Sequence, residues 1–137
     1  MRVLIVSEVA AERQRVTSAL ALREGTEVVE FASGEEARRQ VIDGGDVAFD
    51  VLVVDGDLQP RGGFALLYDL RAKFSLTGRT MPATVVLTAR AQDRFLVEWS
   101  GADRSLAKPV DSFDLARVVA ELVPDAADAP PAPDVPA

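Results

Sequence analysis

At 137 residues and a net charge of −7, the chain has the length of one ordinary domain and lacks the basic stripe that a nucleic-acid binder needs. Cysteine and histidine are both absent. Their absence removes disulfides, thiolate nucleophiles, Ser-His-Asp triads and Cys- or His-ligated metal sites together. The remaining chemistry is that of carboxylates, hydroxyls, lysine and a hard cation such as Mg²⁺, which prefers oxygen ligands.

The first apolar run, Arg2 to Val6, is interrupted by Ser7-Glu8. It is too short for a signal peptide or a membrane span, so it reads as a buried strand of a cytoplasmic protein with no membrane partner. Ala10 to Leu22 follows with helical period, placing Val16, Ala19 and Leu20 on one stripe. A second strand at Glu27 to Phe31 precedes a helix over Glu35 to Ile42, where Ser33 and Glu36 have the spacing of a capping box. The third strand, Val51 to Val54, closes on Asp55, and Gly62 to Phe74 then carries Phe64, Leu67, Leu70 and Phe74 at helical spacing.

The fourth strand, Thr84 to Leu87, closes on Thr88. It is followed by a helix over Gln92 to Trp99 whose Phe95, Leu96 and Trp99 are expected to pack in the core. The fifth, Arg104 to Ala107, closes on Lys108, and the last helix, Ser112 to Leu122, has Asp111 as its N-cap and Leu115, Val118, Val119 and Leu122 on its apolar face. Strict alternation with short connections means an α/β domain: a doubly wound (βα)₅ unit with a parallel sheet covered by helices on both faces. In such a sheet ligands sit outside the carboxyl ends of the strands, which is where Asp55, Thr88 and Lys108 fall. The domain is expected to span residues 1–123. The segment 124–137 has five prolines, five alanines and three unpaired aspartates, and is expected to be a disordered tail or linker.

Ser7-Glu8, Asp55, Thr88-Ala89 and Lys108-Pro109 after strands one, three, four and five, with Gly101-Ala102-Asp103 before the fifth and Gly63 eight residues after Asp55, together resemble the receiver domains of bacterial response regulators. The resemblance implies a flavodoxin-like fold with strand order 2-1-3-4-5 and a part in two-component phosphorelay signalling rather than an enzyme's turnover. It makes Asp55 the phosphoacceptor. Glu8, the Asp55 carboxylate and the backbone carbonyl of Asp57 become the Mg²⁺ ligands. Thr88, the Ala89 amide and Lys108 become the groups that hold the phosphoryl oxygens, with a cis Lys108–Pro109 bond. The implied partners are a histidine kinase or phosphotransfer protein as donor and an output protein, with a second copy of the chain as a further candidate.

The departures from that family pattern are specific. Ser7 stands where the first of two adjacent acids is usual. The missing carboxylate is expected to weaken Mg²⁺ binding tenfold or more, because a charge pair is worth on the order of a few kcal/mol at partly solvated distances. Ser7 would then hold a metal-bound water, and Asp57 would return charge if its side chain turns inward. Ser105 replaces the usual switch aromatic, Gln59 takes the place of a proline that is displaced to Pro60, and Arg90 follows Thr88 by two residues, where it would contact attacking water. Ser7, Gln59 and Ser105 also suit a second reading, a pseudo-receiver that binds partners without phosphorylation. Asp55-Gly56-Asp57 with Thr88 and Lys108 suits a third, a phosphatase of the haloacid dehalogenase type.

Overall fold

The computed structural model describes residues 1–44, 47–89 and 94–124. The expected tail at 125–137 and Arg90 lie outside the described residues. The elements run β1 (Arg2–Val6), α1 (Ala10–Leu20), β2 (Glu27–Phe31), α2 (Gly34–Val41), β3 (Val51–Asp55), α3 (Gly63–Leu76), β4 (Ala83–Thr88), α4 (Arg94–Ser100), β5 (Arg104–Ala107) and α5 (Ser112–Leu122). All five strands are parallel and ordered β2-β1-β3-β4-β5, as expected.

Strand residues alternate between two apolar clusters, one on each face. Leu4, Val6, Leu52, Val54 and Val86 meet α2 and α3 through Ala37, Val41, Leu66, Leu67 and Leu70. Val3, Ile5, Val51, Val53, Val85 and Leu87 meet α1 and α5 through Val16, Leu20, Leu115, Val118 and Val119. Burial on both faces is why the inner strands are continuous apolar runs rather than alternating ones. Helix entries are fixed by side chains. The Glu36 N–H donates to Ser33 Oγ at 3.1 Å, and the Asp114 N–H donates to Asp111 Oδ1 at 3.0 Å.

One expectation needs correction. Leu96 packs against the core, but Phe95 is 72% exposed and Trp99 44% exposed, with the Trp99 ring stacked on that of Tyr68 at 4.6 Å between centroids. Helix α4 has only seven residues, so two turns of period do not define which face is inward. Among the described residues, no helix is long and apolar enough to cross a membrane.

Candidate functional site

Register and parity assemble the site. Val6 pairs with Val54, so Ser7 comes one step later beside Asp55. Both continue the parity of Val3, Ile5, Val51 and Val53, the face that α1 covers. Asp55 pairs with Leu87, and Thr88 pairs with Ala107, which brings Lys108 in from the far side of β4. The Lys108 N–H donates to the Thr88 carbonyl at 2.8 Å, and the Lys108–Pro109 bond is cis, as is Gln59–Pro60.

Asp55 is 4% exposed and closely held. Lys108 Nζ donates to Asp55 Oδ1 at 2.7 Å and to Asp57 Oδ2 at 2.8 Å, while the Asp57 N–H donates to Asp55 Oδ1 at 2.9 Å. On the other side Ser7 Oγ lies 3.4 Å from Asp55 Oδ2 and donates to Glu12 Oε2 at 2.7 Å. The backbone beneath is closed by Gly63, where a Cβ would stand 2.1 Å from the Asp55 carbonyl oxygen, so no larger residue fits without moving β3.

Burial opposes ionisation of Asp55, but hydrogen bonds from Glu12, Lys108 and the Asp57 amide, with the charge of the ammonium, outweigh it and lower its pKa. Burial likewise works against the charge on Lys108, and its bonds to Asp55 and Asp57 reverse the balance and raise its pKa. Glu12 goes the other way. Desolvation first, then the hydrogen bond to Asp55 and that group's charge, push its pKa up to about 7.

The sequence reading is met unevenly at the level of placement. Asp55, Asp57, Lys108 and Ser7 come together, and the Asp57 side chain does turn inward to Lys108. Thr88 is half-buried at the end of β4, and among the described residues its hydroxyl makes no hydrogen bond to Asp55. Ala89 and Ser105 are exposed. Glu8 is exposed and its carboxylate accepts the Gln59 N–H at 2.5 Å, so it faces the loop after β3. The residue that the sequence reading missed is Glu12, an acid only 8% exposed. Its signal was present: four residues before Val16, it lies on the stripe that α1 turns to the sheet.

For a metal, the donors are all hard oxygens, which suits Mg²⁺. The acids gather in pairs, Asp55 with Asp57 through Lys108 and Asp55 with Glu12 through Ser7, and among the described residues no group of three forms a ready metal cluster. A cavity lined by Gly34, Arg38, Leu58, Pro60, Arg61 and Leu66 lies beside α2 and includes neither Asp55 nor Lys108.

Comparison with known proteins agrees with this fold. Two uncharacterized response regulatory proteins of Mycobacterium tuberculosis, from strains CDC 1551 / Oshkosh and H37Rv, are each 32% identical over 128 residues, covering 90% of this chain and 91% of theirs. Among solved structures, the chemotaxis response regulator CheY4 of Vibrio cholerae superposes with a TM-score of 0.71 at 23% identity, covering 89% of this chain and 98% of that one. The receiver domain of a sensor histidine kinase from Pseudomonas aeruginosa PAO1, with a magnesium ion coordinated in its active site cleft, superposes with a TM-score of 0.73 at 22% identity, covering 88% and 95%. The family model of the response regulator receiver domain matches residues 3–120, nearly the whole described fold, and the chain belongs to that family of two-component signalling domains.

Proposed function

We propose that Asp55 accepts a phosphoryl group from a histidine kinase or phosphotransfer protein, and that the resulting acyl phosphate changes the affinity of the chain for an output protein. The observation that carries this reading is the buried Asp55 carboxylate, kept ionised by Lys108 at 2.7 Å with Asp57 sharing the same ammonium at 2.8 Å. A carboxylate oxygen of Asp55 forms the new P–O bond. The donor's P–N bond, or the P–O bond of a small acyl phosphate, breaks with its electron pair leaving on the imidazole or the carboxylate. The protein's task is mainly to align the reactants and neutralise their charge.

Lys108 pairs with Asp55 before transfer and follows the phosphoryl oxygens afterwards. The Thr88 hydroxyl and the Ala89 amide complete the cradle. Mg²⁺ would be held by Asp55, by Glu8 once it leaves the Gln59 amide, and by the Asp57 carbonyl. When bound, it neutralises the transferring oxygens. With Ser105 exposed at the edge strand, no aromatic side chain there can report the switch, so readout would pass through displacement of β4, α4 and β5.

The test is incubation with acetyl phosphate across a Mg²⁺ titration, recording intact mass for the wild type and Asp55→Asn. A gain of one phosphoryl group in the wild type alone is expected. No gain with either acetyl phosphate or a phosphorylated phosphotransfer protein would favour the second reading, a phosphorylation-independent binding module, which the serine at position 7 supports.

A further inference from the structure

We propose that Glu12 is a further acidic group of the cation pocket, beside Asp55 and Glu8, placed there from α1 because Ser7 carries no charge. This rests on the reading of Asp55 as a Mg²⁺-assisted acceptor. Ser7 is fully buried, and its hydroxyl is fully used: it accepts the Val9 N–H at 3.1 Å, donates to Glu12 Oε2 at 2.7 Å and leans on Asp55 Oδ2 at 3.4 Å. The hydroxyl thus ends where a longer acidic side chain would continue, and the Glu12 carboxylate takes up that position from the opposite direction.

Among the described residues no basic side chain forms an ion pair with Glu12. Its neighbour Arg13 turns away, donating to the Ser7 carbonyl at 2.6 Å and pairing with Glu30 at 3.5 Å. Lys108 is engaged by Asp55 and Asp57, and no salt bridge to Glu12 forms among the described residues. A carboxylate 8% exposed on an otherwise apolar helix stripe is costly to keep charged, and a cation held at Asp55 would offset that cost. Glu8 is a separate ligand, which comes from the side of the loop after β3, where its exposed carboxylate accepts the Gln59 N–H at 2.5 Å, and it makes no bond to Ser7. Glu12 is therefore a positioning residue: its carboxyl group stands behind Ser7 on the side of Asp55 Oδ2, the acceptor oxygen that Lys108 leaves free.

Binding of Mn²⁺, which favours the same oxygen ligands as Mg²⁺, is read from the amplitude of the free-ion electron paramagnetic resonance signal, without any phosphodonor. Glu12→Gln keeps the size of the side chain and its bond from Ser7 while removing the charge. It is expected to weaken Mn²⁺ binding tenfold or more, and Ser7→Asp in the Glu12→Gln background is expected to restore it. Equal binding by wild type and Glu12→Gln would overturn the proposal and leave the acceptor reading standing. Weak binding by Glu12→Gln that Ser7→Asp does not rescue, with both variants folded by circular dichroism, would overturn it too, because the loss would then come from shape rather than charge. A wild type that takes up no Mn²⁺ at millimolar concentration would overturn this proposal together with the cation part of the acceptor reading.

Discussion

Strand β3 is buried at every residue from Val51 to Asp55, paired on both sides and covered by helices on both faces. At the sheet edge, β5 exposes Arg104, Ser105 and Ala107 and half-buries only Leu106, and the helix leading into it, α4, buries Ser100 alone while exposing Phe95 and Trp99. The Asp55 carboxylate belongs to the first region, and Lys108, which binds it, to the end of the second. The contrast suggests a division of labour: the buried Asp55 carboxylate sits on the part of the fold hardest to deform, and its counter-ion on a part that gives up little apolar contact when it moves.

The sharpest way to break the comparison is to damage each region in turn. Leu67→Ala removes a fully buried side chain from the cluster against β3, and is expected to cost about 2 to 5 kcal/mol in urea unfolding. A cost below about 1 kcal/mol would mean that the inner layer is no better packed than the edge.

A smaller effect is expected from the carboxylate behind Asp55. The pKa of Glu12 in the fold, about 7, lies above its ordinary value of 4.5, so the unfolded chain releases that proton first and folding stability falls as pH rises between those values. The lowered pKa of Asp55 adds stability that is lost only below its ordinary 3.8, and the raised pKa of Lys108 adds stability lost only above 10.5, so neither interferes in this window. Glu12→Gln is therefore expected to be more stable than the wild type by on the order of 2 kcal/mol at pH 8, with the gap closing near pH 5, in parallel urea titrations. A pH-independent gap would place the strain elsewhere. The least effect is expected at the edge, where Phe95→Ser should change stability by less than about 0.5 kcal/mol because the ring is already 72% exposed.

The same contrast marks what was legible in the sequence. Buried parallel strands announce themselves as apolar runs, and their carboxyl-terminal residues pointed to Asp55 and Lys108, which the fold brings to 2.7 Å. The caps at Ser33 and Asp111 were equally readable, since capping depends on local spacing. Glu12 was passed over because an acid on a helix is ordinarily solvated, and only the parity of Ser7 and Asp55 reveals that α1 lies over them. Trp99 and Phe95 misled for the opposite reason: apolar side chains on a helix of two turns carry no period long enough to tell inside from outside.

The chain has a single tryptophan and a single tyrosine, and they are the pair stacked face to face between α3 and α4, with an angle of 1° between their planes. Its ultraviolet emission therefore comes from one seam, between the helix that follows β3 and the helix of the loosely packed edge. Any slide of α4 along α3 alters ring overlap and water access at once, so the protein carries its own label-free optical gauge of that motion.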